Sequence, residues 1–203
     1  MKTIRVLAVI LLGSAVISEA AGEDFIIDGR MMFVGYGMCN DRIADPEQRK
    51  ESGKRAAMMQ ARYRLTEATT GSSFEIKGGK IVSSRVEGIL SGDMLESYAE
   101  MRPDFYACVL WVYPDYVEFN NWGKTRRLKL EMRYPGDSAS ATADDYRRYI
   151  LNVEAATLKL ITDDAGERGY LKNNKLWLEH LYVLQYLHWD GRMVITVIYA
   201  EPE

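Results

Sequence analysis

The sequence is short of the residues that most often carry chemistry. It has two histidines, two cysteines and five prolines among 203 residues. His180 and His188 flank the strand-like stretch LYVLQYL, about 27 Å apart along an extended chain, so they cannot share a metal within one strand. Neither has a cysteine or paired carboxylates beside it in ligand spacing, and both are expected at the surface or at hairpin ends. Neither Gly-x-Ser-x-Gly nor Ser-x-x-Lys occurs. The pairs Asp144-Asp145 and Asp163-Asp164 fall at expected helix ends, where capping accounts for them. No catalytic residue, cofactor-binding residue or metal ligand is therefore expected.

An excess of one charge is also missing. The formal net charge is −3, which gives a polyanion nothing to bind, so nucleic acid is not an expected partner. Beyond the N-terminus there is no apolar run of membrane-spanning length, and no integral membrane segment is expected. The VGYG within FVGYGM, residues 33–38, matches the core of a potassium-channel filter, but such a filter needs surrounding membrane helices. As a phosphate loop it lacks a third glycine and any Gly-Lys-Ser/Thr, and the next helix starts about eight residues later. Gly35 and Gly37 are read instead as small residues on a strand where a helix packs closely.

What is present begins with a leader. Lys2 and Arg5 precede the apolar run Val6 to Ile17, and Ser18-Glu19-Ala20 offers small residues for cleavage after Ala20 or Ala21. This is the layout of a secretory signal peptide over residues 1–20, without a lipobox cysteine. A periplasmic or secreted protein follows. Removing Lys2, Arg5 and Glu19 takes the formal charge from −3 to −4. In an oxidising compartment Cys39 and Cys108 can form a disulfide closing about 70 residues, worth at most about 4 kcal/mol, or can stay as buried thiols.

The pattern then gives an α+β chain. MMFVGYGMC reads as a buried strand. Asp45 as N-cap, Pro46 at the first helical position and Gln48 start a helix that runs to Thr70 and stops at Gly71. Ala57, Ala61, Leu65 and Ala68 form its apolar stripe, with Arg55, Arg62 and Arg64 expected in solvent. Two short extended pieces flank Gly78-Gly79. A hairpin follows, with strands near Met94–Met101 and Phe105–Tyr113 and a turn at Pro103-Asp104. Both faces of its second strand are apolar, which predicts a covered or central strand.

The second half repeats the order. RLKLEMRY alternates as a strand, Thr142 caps a helix striped by Tyr146, Ile150, Val153, Thr157 and Leu160, and a hairpin turns at Asp190-Gly191. The reading is two tandem βαββ units, residues 21–116 and 117–203, each with a helix on a mainly antiparallel sheet. Aromatics at the junction, Tyr113, Tyr116, Phe119 and Trp122, are a candidate contact surface for a protein or glycan.

The pieces FVGYGM, AAMMQARYRL, SSRVEGILSG and FYACVLWVY carry a resemblance over about 80 residues. Residues 31–113 resemble the N-terminal domain of the flagellar assembly protein FlgT and the related small outer-membrane lipoproteins of the twenty-kilodalton type. The resemblance implies a βαββ-type envelope domain that binds envelope, flagellar or outer-membrane proteins and carries no active site. The sequence departs from the lipoproteins in lacking the lipobox, and its second half departs from the FlgT arrangement. The expected function is thus non-catalytic assembly or protein binding in the envelope. The alternatives are a small-ligand or glycan-binding module, and an unrecognised hydrolase.

Overall fold

The computed structural model describes residues 26–27, 29–77, 80–86, 95–113, 117–118 and 121–202. The leader, the Gly78-Gly79 turn, Tyr116 and Phe119 lie outside these residues. Among the described residues, ten strands and two helices follow in the order β1 (Ile26–Ile27), β2 (Arg30–Met38), α1 (Pro46–Thr70), β3 (Ser72–Lys77), β4 (Lys80–Val86), β5 (Leu95–Arg102), β6 (Phe105–Val112), β7 (Thr125–Arg133), α2 (Ala143–Glu167), β8 (Lys175–Leu178), β9 (Leu181–Leu187) and β10 (Arg192–Ala200). The fold is α+β with antiparallel pairing in every described ladder.

The two halves are built alike. In the first, sheet order β1-β2-β6-β5 sets the second strand of a hairpin between its partner and the strand that precedes the helix. The order β7-β10-β9 does the same in the second. Both helices are 25 residues long. Asp45 accepts a bond from the Gln48 amide at 2.8 Å and starts α1. Thr142 and Asp145 close a full capping box on α2.

The glycine strand is explained by α1. All four stripe residues, Ala57, Ala61, Leu65 and Ala68, are fully buried. A Cβ on Gly35 would stand 2.2 Å from the Ala57 carbonyl oxygen, and one on Gly37 would stand 2.3 Å from the Ala57 amide. Strand and helix backbones are therefore in direct contact, and only glycine fits between them.

Some expectations are corrected. Arg64 is buried, not solvated, because it faces α2, where it pairs with Glu154, and also pairs with Glu67 one turn along its own helix. Near the end of α2 the buried position is Ile161, with Leu160 only half-buried. Strand β8, KLWL, was not expected; it pairs with β3 and so adds a strand from the second half to a sheet from the first, in order β4-β3-β8. Cys39 and Cys108 are free buried thiols. Cys108 stands opposite Gly35, and Cys39 lies four residues further along that strand, about 13 Å away by strand rise. A disulfide needs Cα atoms within about 7 Å.

The halves also meet along β2 and β9, through side chains rather than ladder bonds. Tyr36 on β2 donates its hydroxyl to the Gln185 carbonyl at 2.9 Å and accepts from the Leu187 amide at 2.8 Å. In return Tyr182 on β9 donates to the Met32 carbonyl at 2.8 Å. Backbone groups that no neighbouring strand pairs are satisfied by these two tyrosines. An aromatic series, Tyr36–Phe105–Tyr146–Tyr134, continues the join with stacked rings 5.9, 5.4 and 5.3 Å apart.

Candidate contact surface

Several buried polar side chains join elements. Arg64 donates to Glu67 at 2.8 Å and to Glu154, while Gln60 donates to Glu154 at 3.0 Å, so α1 is bolted to α2. Burial pushes the Glu67 carboxyl up, against the pull of Arg64. For Arg64, burial opposes the charge, but the two carboxylates outweigh it and hold the guanidinium ionised. A groove of about 270 Å³ beside this cluster exposes Tyr63 and Leu158 at its rim, but Arg64 already occupies both carboxylates. Asp164 likewise binds Arg126 at 3.0 Å, Tyr199 and, more distantly, Arg168.

The cysteines and His180 are held in the interior, while the buried Nε2 of His188 has no hydrogen-bond partner among the described residues. Burial, with Glu96 nearby, pushes the Cys108 thiol up to about 12, so it stays protonated and un-nucleophilic at neutral pH. Burial and Asp104 raise Cys39 as well. His180 stacks on Trp122 with ring centroids 5.0 Å apart, and its Nδ1 lies 3.1 Å from the Ala68 carbonyl. His188 sits edge-on to Tyr186, and burial, helped by Arg192, lowers its pKa. Among the described residues, no three His, Cys, Asp or Glu side chains gather as a metal-binding group. A cleft of about 810 Å³ at the start of α2 carries Arg49, Arg102 and Arg147 against Asp41, Asp104 and Asp144, a balanced mixture that favours neither sign of ligand.

The structure separates the junction aromatics. Trp122 is 4% exposed, donates its indole N–H to the Val117 carbonyl at 3.2 Å and belongs to the core. Tyr113 is 59% exposed. The Arg30 guanidinium lies over its ring at 5.1 Å and donates to its hydroxyl at 3.2 Å. What Tyr113 joins is a sheet face. Side chains of Met32, Val34 and Tyr36 on β2, Ala107, Val109 and Trp111 on β6, and Leu95, Ser97 and Ala99 on β5 fall on one side by strand alternation and register. The opposite side is the one that α1 covers through Gly35 and Gly37.

This face is covered at one end and open at the other. Near Ala99 and Ala107 it meets Tyr186 and Leu187 of β9 across a slot of only about 30 Å³. Towards Leu95, Val109 and Trp111 the cover ends. Leu95 is 57% exposed, and Val109 and Trp111 are half-buried. The two-faced apolar pattern of β6 predicts a central or covered strand, and β6 is central in its sheet, with one face fully packed and the other only partly. Leu95 and Trp111 face each other across β5–β6. Sequence pattern alone missed this surface because an apolar residue on a central strand reads the same whether or not something covers it.

No protein-family model matches the sequence, and no curated protein matches it. Among the described residues no helix is long and apolar enough to cross a membrane.

Proposed function

We propose that the protein is an exported, non-catalytic module of the bacterial envelope that works in assembly by binding a neighbouring protein. The open end of the β2-β6-β5 face carries the reading: Leu95, Val109, Trp111 and Tyr113 offer apolar and aromatic contact area with Arg30 beside it. Aromatic residues and arginine are the side chains enriched where proteins bind each other. β5 is the terminal strand of its sheet in the described order, so an extended segment of the partner can add there, with its apolar side chains on the Leu95 and Ala99 side. Two sequence features support the same reading, the signal-peptide layout and the resemblance of residues 31–113 to FlgT N-terminal domains and the twenty-kilodalton lipoproteins.

The test is a crosslinking pull-down of the mature chain from its native envelope, with Leu95→Asp and Tyr113→Ala as variants. Both positions are more than half exposed, so the variants should fold normally. One or more envelope proteins should be enriched by the wild type and lost from both variants. Equal capture by all three chains would refute the surface.

A further inference from the structure

A second surface lies on the small β4-β3-β8 sheet, away from the contact face. Strand β8 alternates cleanly: Leu176 and Leu178 are buried at 1% and 0%, which turns Trp177 outward with 59% exposed. Ser73 stands opposite Trp177 and Glu75 opposite Lys175 in the β3–β8 register, so these four side chains share one face. The chain enters β8 through a two-residue turn. Asn173 and Asn174 have φ of 53° and 59°, and Lys172 and Lys175 exchange both backbone hydrogen bonds at 2.9 Å. That is a type I′ hairpin, whose geometry fixes Lys172 beside Lys175 on the Trp177 face.

These residues line an open cleft of about 720 Å³, with Tyr170 and Glu201 on its far wall. That volume is within the range of ordinary ligand sites. Glu201 is already engaged by Lys124 at 2.9 Å and Arg168 at 3.8 Å, which anchors that wall. Lys172 and Lys175 make no ion pair within the described residues. The cleft thus offers an exposed indole, with the donors Lys172 and Lys175 and the acceptor Glu179 along the same lining.

We infer that this cleft is a binding site for a neutral oligosaccharide. A pyranose ring has an apolar C–H face, which packs on an indole, and a rim of hydroxyls that both donate and accept. A rim of mixed charge satisfies such hydroxyls and gives an anionic or cationic ligand no net attraction. The site stands independently of the protein-contact face, since it uses another sheet and none of the same residues.

The test is calorimetric titration of the full mature chain with three neutral probes, chitotriose, cellotriose and maltotriose, each taken to about 10 mM, a range that reaches millimolar affinities. At least one should bind. Trp177→Ala should weaken that probe about tenfold, the loss of one aromatic stacking contact, and Trp177→Phe should weaken it less. Affinity should change little with added salt. Leu95→Asp should leave it unchanged, which keeps this site distinct from the contact face. No binding by any of the three probes, or equal binding by wild type and Trp177→Ala, would overturn the assignment. Circular dichroism of each variant verifies that it is folded.

Discussion

Gly35 and Asp164 show how single residues hold the molecule. A methyl at position 35 would collide with α1 backbone atoms at 2.2 and 2.3 Å, which no rotamer change relieves. Gly35→Ala should therefore cost about 3 kcal/mol or more, at or beyond the upper end of ordinary overpacking, read as a lower midpoint in urea. Gly123 and Gly29, where a Cβ meets no atom within 4 Å but φ is 66° and 71°, isolate the cost of a left-handed backbone without crowding, and Gly35→Ala should cost more than either. Asp164 contributes a pH dependence. Burial alone would raise its pKa, but bonds from Arg126 and Tyr199 and the charges of Arg126 and Arg168 outweigh it and hold it below 3.8. A carboxylate with a depressed folded pKa stabilises above its unfolded value and loses that contribution as pH falls through the folded one. Asp164→Asn should lower Tm at pH 7, by an amount corresponding to about 1 kcal/mol given that Arg126 keeps over a third of its side chain in water. The gap from wild type should begin to narrow below about pH 4 and close only once the pH lies below the folded pKa. A gap that persists there would show that Asp164 acts by shape rather than charge.

At the scale of elements, the Tyr36 and Tyr182 hydroxyls take the place of a ladder between β2 and β9. Tyr36→Phe keeps the ring stack on Phe105 and removes two buried hydrogen bonds at once, leaving the Gln185 carbonyl and the Leu187 amide without that partner. The expected loss is about 2–4 kcal/mol, against about 1–3 for Tyr182→Phe, which frees one carbonyl. Urea unfolding of both variants measures this, and a cost for Tyr36→Phe no greater than for Tyr182→Phe would contradict it. Local signals made most elements readable in advance. Asp45-Pro46 starts α1, Gly71 with φ 84° ends it, and Asp190-Gly191 turns β9 into β10. Joins between distant segments were not readable. Nothing near KLWL announces that β3, about 100 residues earlier, is its partner. Arg64 sits among exposed arginines in the sequence and is buried only because Glu154 of the other helix meets it. The open end of the sheet face was half legible: Tyr113 stood out as an aromatic, whereas Trp111 sat in a strand read as central or covered and Leu95 carried no signal of its own.

On the scale of the whole molecule, two halves that share a strand–helix–hairpin order, with β3, β4 and β8 added, are joined by a shared small sheet, a pair of tyrosines and a helix-to-helix ion cluster. Buried polar groups serve these joins, while aromatics and leucine stand outward on one end of a sheet. That division, with polar groups inside acting as structure and apolar groups outside left for a partner, is the basis of the assembly reading. Site-specific photo-crosslinking in living cells tests it most directly, with a benzophenone amino acid placed at Leu95, at Tyr113 and, as a control on the exposed side of α2, at Lys159. The account predicts a discrete adduct with the same envelope protein from positions 95 and 113 and none from 159. No adduct from 95 and 113, or the same adducts from all three positions, would contradict it.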